Sequence, residues 1–158
     1  MPEKETIQRA QEDAREGKAP STQAGEFVRE EMHHVREAKH GAASTKQAIA
    51  IGLSKARRSG VRLAAPGRGK ASAKTRQQAS RDYRKGQNKS ARKTSRTRSR
   101  ATRTALKKKG HSAASSQSLS RQARSAARKR GSAARHLAAM KAVRSKKAAS
   151  SHTTRKAA

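Results

Sequence analysis

Beyond residue 65 this chain carries 29 lysines and arginines and a single acid, Asp82. No fold buries that much like charge, because taking an unpaired ion out of water costs several kcal/mol or more. The segment has to keep its cations in solvent or hand them to a polyanion. Residues 1–65 are different: 12 basic residues face nine acidic ones. Over all 158 residues the net charge is +31. Large apolar residues follow the opposite gradient. Phe27, Val28, Met32, Val35, Ile49, Ile51, Leu53, Val61 and Leu63 fall within 21–65, whereas 66–158 offers only Tyr83, Leu106, Leu119, Leu137, Met140 and Val143. High net charge with so few apolar anchors marks a chain that stays partly unfolded alone. The expected fold class is therefore mostly α with extensive disorder, a small helical hairpin module plus a long cationic low-complexity tail.

Four regions are expected. Residues 1–20 form a polar helical arm, 21–65 a small α-helical module, 66–104 a disordered basic linker, and 105–158 an Ala/Lys/Arg-rich tail that becomes helical on binding. The module ends where Ala65-Pro66-Gly67-Arg68-Gly69 breaks any helix. Within the arm, Glu5 and Arg9 form an i,i+4 pair, but only Ile7 is large and apolar, so fraying or pivoting is expected. In the module, Phe27, Val28, Met32 and Val35 recur on one helical stripe, with Ser21 or Thr22 as cap and Gly41 as stop. Ser44-Thr45-Lys46-Gln47 matches a capping box that opens a second helix carrying Ala48, Ile49, Gly52, Leu53 and Ala56. Gly52 suggests a close helix crossing, and Lys55, Arg57 and Arg58 favour the negative end of the helix dipole. Gly60 ends the helix, and Val61 and Leu63 return as a short extended segment. Nine apolar side chains leave this hairpin marginal alone, in need of the first helix, a second copy or a protein partner.

The segment Gly25-Glu26-Phe27-Val28-Arg29-Glu30-Glu31-Met32-His33-His34, followed by Gln47-Ala48-Ile49-Ala50-Ile51-Gly52-Leu53-Ser54-Lys55-Ala56-Arg57, resembles a family of small basic bacterial and viral proteins that carry a domain of unknown function. The resemblance covers about residues 21–63 and implies a helix pair without an assigned activity. That family often has alanine and an acid at the positions held here by Gly52 and Lys55. The tail is similar in composition to the basic tails of linker-histone-like proteins.

Within 66–104, Arg96, Arg98, Arg100 and Arg103 alternate with Ser, Thr and Ala, a pattern expected to be extended and mobile. Further on, Ser125-Ala126-Ala127-Arg128 recurs as Ser132-Ala133-Ala134-Arg135, which puts Arg121, Arg124, Arg128 and Arg135 on one helical face, interrupted by Gly131. Self-repulsion opposes that helix, and neutralisation by phosphates would favour it. Arg121, Arg124, Arg128, Lys129, Arg130 and Arg135, with Lys107, Lys108 and Lys109, are the expected phosphate contacts. Counterion release is the driving force, and it carries no sequence information. Only Phe27 and Tyr83 are aromatic, which disfavours readers that stack single-stranded bases. Sequence-nonspecific binding of double-stranded DNA, in a nucleoid-associated or compacting protein, is the leading expectation. The alternatives are an RNA- or ribosome-associated assembly factor, or an adaptor whose helical module binds a protein or a second copy.

Other motifs carry less. Gly67-Arg68-Gly69-Lys70 lacks the earlier glycine and the following Ser/Thr of a phosphate loop, since Ala64 and Ala71 stand there. With Pro66 it bears a faint likeness to a minor-groove hook, but a plain basic linker is the expected reading. Glu12, Asp13 and Glu16 read as solvated, as do the helical pairs Glu30–His34 and His33–Glu37. No catalytic residue, metal ligand or cofactor is expected, and no enzyme. With no cysteine there is no disulfide or thiolate site. The start Met1-Pro2-Glu3-Lys4-Glu5 is not a secretory signal, so a cytoplasmic protein, nucleoid-associated if bacterial and not on a membrane, is expected.

Overall fold

A computed structural model describes residues 2–88 and 95–156. Six helices follow in order: α1 (Lys4–Arg15), α2 (Pro20–Arg36), α3 (Thr45–Arg58), α4 (Ala73–Gln87), α5 (Arg96–Lys107) and α6 (Ser116–Lys156), with a 3-10 turn at Ser112–Ala114. Among the described residues there is no strand. The chain divides into two compact units, Met1–Leu119 and Ser120–Ala158.

The α2–α3 hairpin is the centre of the first unit. Ser44 caps α3 by accepting from the Gln47 amide at 3.2 Å, and Gln47 reaches back to the Ala43 amide at 2.8 Å. Gly52 sets the crossing: a Cβ there would lie 2.7 Å from the Val28 Cα and 2.9 Å from the Phe27 carbonyl oxygen. Two details of α2 differ from expectation. Its first turn uses Pro20 after Ala19, with no side-chain cap, because a proline there lacks only an N–H that had no partner anyway. It stops at Ala38, whose φ is 59°, rather than at Gly41.

The hairpin is not left to stabilise itself. Phe27, Ala24, Ala56 and Val61 pack with Ala10 of α1, joined by Ile7, Leu53 and Leu63. The expected fraying arm is thus a docked helix, fixed by polar contacts as well. The Glu3 amide donates to Glu30 at 3.1 Å, and Arg9 Nε donates to Glu26 at 2.8 Å. At the other end Met32, Val35, Ala42 and Ala48 pack with Ala113 and Ala114 of the 3-10 turn and with Leu119. Thr45 Oγ1 donates to the Ala113 carbonyl at 2.6 Å, and Arg36 Nε to the Ala114 carbonyl at 3.0 Å. Residues from the expected tail therefore complete the core.

The expectation of a disordered linker over 66–104 is corrected by two helices, with 89–94 lying outside the described residues. α4 docks on α3 through Asp82, which accepts from Ser54 Oγ at 2.6 Å, Arg58 Nε at 2.9 Å and Gln78 Nε2 at 3.2 Å. Ala79 is buried beside it, and Gly86 lies so close to the Arg57 carbonyl that a Cβ would collide with it. Burial pushes the Asp82 carboxyl up, but the hydrogen bonds and the Arg58 charge outweigh it and hold the group below the usual carboxylate range. The region expected to order only on binding is helical too. α6 is broken at Gly131, whose φ of 74° and ψ of 169° lie outside the helical region.

Candidate nucleic-acid interface

The cations divide into those used inside the fold and those left facing solvent. The three at the end of α3 are all used. Lys55 Nζ lies 2.9 Å from Glu30 and 2.8 Å from Glu31. Arg57 is buried and donates to the Leu63 and Ala64 carbonyls at 3.1 and 3.3 Å, which holds the return segment. Arg58 engages Asp82. Lys55 is pushed down by burial but raised more by Glu31 and Glu30, so it remains an ammonium. Glu30 is pushed up by burial, yet Lys55, the Glu3 amide and Thr6 hold it below its usual value. The expectation that the Glu30–His34 pair is solvated is therefore corrected: Glu30 is buried, and so is its neighbour Glu31. Asp13 and Glu16 each lie 2.7 Å from Lys18, whose pKa is raised by these contacts.

α5 presents the opposite picture. It holds Arg96, Arg98, Arg100, Arg103 and Lys107, has no acid and buries no residue, and among the described residues it packs on no other helix. Its anchor is at one end, where the Leu106 carbonyl accepts from the Gly41 amide at 3.1 Å and the Gly110 carbonyl from the Ala42 amide at 3.1 Å. Arg96, Arg100, Arg103 and Lys107 stand at i, i+4, i+7 and i+11, a single stripe of an α-helix. At a rise of about 1.5 Å per residue the stripe is about 16 Å long, roughly five nucleotide steps of one DNA strand. Sequence reasoning missed this stripe. The spacing is readable in the sequence, but the alternation with Ser and Thr predicts extended chain.

The expected phosphate contacts fall in two places. Lys107 ends α5, and Lys108 and Lys109 follow it, all three exposed. Arg121, Arg124, Arg128, Lys129 and Arg130 are exposed on α6 before the break. Arg121, Arg124 and Arg128 share a stripe at i, i+3 and i+7. Arg135 lies past Gly131 with its Nε donating to the Gly131 carbonyl at 3.2 Å, so the continuous four-arginine face is interrupted. Leu137, Met140 and Val143 are exposed on the same unit. Gly67–Lys70 is an exposed turn closed by the Lys70 amide on the Gly67 carbonyl at 3.2 Å.

Comparison of the chain with protein-family models, curated proteins and solved structures returned no match. No helix among the described residues is long and apolar enough to cross a membrane.

Proposed function

We propose that this protein binds duplex DNA without sequence preference and coats or compacts it, with no enzymatic role. The observation that carries the proposal is α5, a helix of five cations with no acid and, among the described residues, no helix packed on it. An isolated helix of 12 residues is marginal even in good sequences, and like charges three and four residues apart weaken it further. A phosphate backbone supplies the missing countercharge, and its released counterions drive binding. The exposed α6 stripe of Arg121, Arg124 and Arg128 provides a second set of phosphate contacts. Asp82, the one acid beyond residue 65, is turned onto Arg58 of α3 and cannot serve as internal countercharge for α5. If the protein is bacterial, this activity places it on the nucleoid.

The test is a salt titration of the full chain on duplex DNA. With ~8 phosphates engaged, affinity should fall roughly 10⁴-fold between 50 and 200 mM salt. A shallow slope rejects the proposal. A matched titration on structured RNA decides between the two polyanions, and clear preference for RNA moves the protein to the assembly-factor reading. Truncation at residue 65 is unsuitable, since it removes α4, Ala113, Ala114 and Leu119 from the packed unit.

A further inference from the structure

We infer that Glu31, His34 and His40 form a binding site for a divalent transition-metal ion of the zinc type. One ligand atom from each lies within 4.8 Å of the others. Glu31 and His34 stand at i and i+3 on α2, and His40 comes from the loop that follows.

The orientation of the two imidazoles supports a cation between them. His34 Nε2 lies 2.8 Å from Glu3 Oε1, and a carboxylate only accepts, so that nitrogen carries the proton. His34 Nδ1 then presents its lone pair towards the interior, where Glu30 Oε1 is 3.9 Å away. His40 Nδ1 lies 3.3 Å from the Gly41 carbonyl, again an acceptor, so His40 Nε2 presents its lone pair to Glu31 Oε1 at 3.3 Å. A bare ring nitrogen facing a carboxylate oxygen is repulsive, so either a proton or a metal cation has to sit between them. Histidines that ligate metals have this arrangement, with the outer N–H held by a carboxylate or a carbonyl.

Glu31 adds an independent sign. Its side chain is fully buried, and neither carboxylate oxygen accepts a well-directed hydrogen bond. Oε2 has only the charge contact with Lys55 at 2.8 Å, which leaves Oε1 on the histidine side for a metal. A tetrahedral ion with bonds of about 2.0–2.1 Å needs ligand atoms about 3.3 Å apart. His40 Nε2 and Glu31 Oε1 already stand 3.3 Å apart, and the His34 atom lies within 4.8 Å of both ligands. The fourth position falls to water or to Glu30. Of the three ligands, His34 lines a surface cleft, together with Glu3, Glu30 and Lys39. Glu3, Glu30 and Glu31 bring three carboxylates to this spot, opposite the ammonium groups of Lys39 and Lys55.

The experiment titrates metal-free full-length protein with Co²⁺, read by its visible absorption, followed by displacement with Zn²⁺. One equivalent should give tetrahedral-type bands that Zn²⁺ abolishes, and Zn²⁺ should raise Tm reversibly with a chelator. His34→Ala and His40→Ala should weaken Co²⁺ binding at least a hundredfold, with His33→Ala unchanged. Glu3→Ala, which leaves all three ligands in place, should weaken it about 10–100-fold and covers the case in which a histidine variant fails to fold. The inference is overturned if no bands or Tm shift appear at one equivalent. It is also overturned if the histidine variants bind like the parent. Both imidazoles doubly protonated at neutral pH, with no response to metal, would show an internal ion-pair network and reject the site.

Discussion

α4 and α5 carry five cations each, yet one is built into the fold and the other stands outside it. The difference lies in three residues of α4. Asp82 collects Ser54, Arg58 and Gln78, Ala79 lets the helix approach, and Gly86 brings its end against the Arg57 carbonyl. α5 has no acid and no buried small residue, so nothing draws it onto the hairpin except the backbone bond from Leu106. One buried carboxylate, fully hydrogen-bonded, is enough to turn a cationic helix into a structural one. Without it, the same charge density stays exposed on α5.

The largest expected effect tests the α5 side. Replacing Arg96, Arg100, Arg103 and Lys107 by glutamine should lower duplex affinity about 10²–10³-fold at 0.1 M salt and reduce the salt slope by about 3.6. Thermal stability should hold or rise slightly, because like-charge repulsion is relieved. A large loss of stability would mean that α5 packs after all, and the contrast with α4 would break.

Next comes Asp82→Ala. It should cost about 2–3 kcal/mol, because several hydrogen bonds to one charged group are lost together. Hydrogen exchange should show α4 amides losing protection while α2 and α3 retain theirs. Equal protection in both proteins would deny that Asp82 is the anchor.

The same contact gives a pH dependence. The Asp82 carboxyl is held below its ordinary value in the folded chain, so its contribution is complete above the unfolded pKa of about 4 and is lost as pH falls through the folded value. α4 should therefore loosen below about pH 4, and Asp82→Asn should flatten that step. α5 should show no comparable step, having no carboxylate. The smallest effect is expected for Arg124→Gln alone. The salt slope should drop by about 0.9 and stability should change by less than about 0.5 kcal/mol. A tenfold larger effect at this one position would point to a defined contact rather than interchangeable ones.

Much of the hairpin was legible in the residues. The Phe27–Val35 stripe, the Ser44–Gln47 cap and the glycine crossing depend on spacing within one helix, and the structure keeps all three. α4 was not legible, because its docking is polar and small: periodicity finds large apolar stripes, and Ala79 and Gly86 make none. The role of Ala113 and Ala114 was hidden for the same reason, since an alanine looks alike on a solvated helix and in a core. Glu30 reads as solvated from the sequence because its partner Lys55 belongs to a later helix.

The sequence by itself determined where charge accumulates, which stretches favour helix and where α3 begins, because composition, propensity and capping act over a few neighbouring residues. Only the tertiary structure decided which charges are used internally. Asp82 meets Ser54 and Arg58 across separations of 28 and 24 residues. A carboxylate's partner, unlike its charge, is set by what the fold places opposite it.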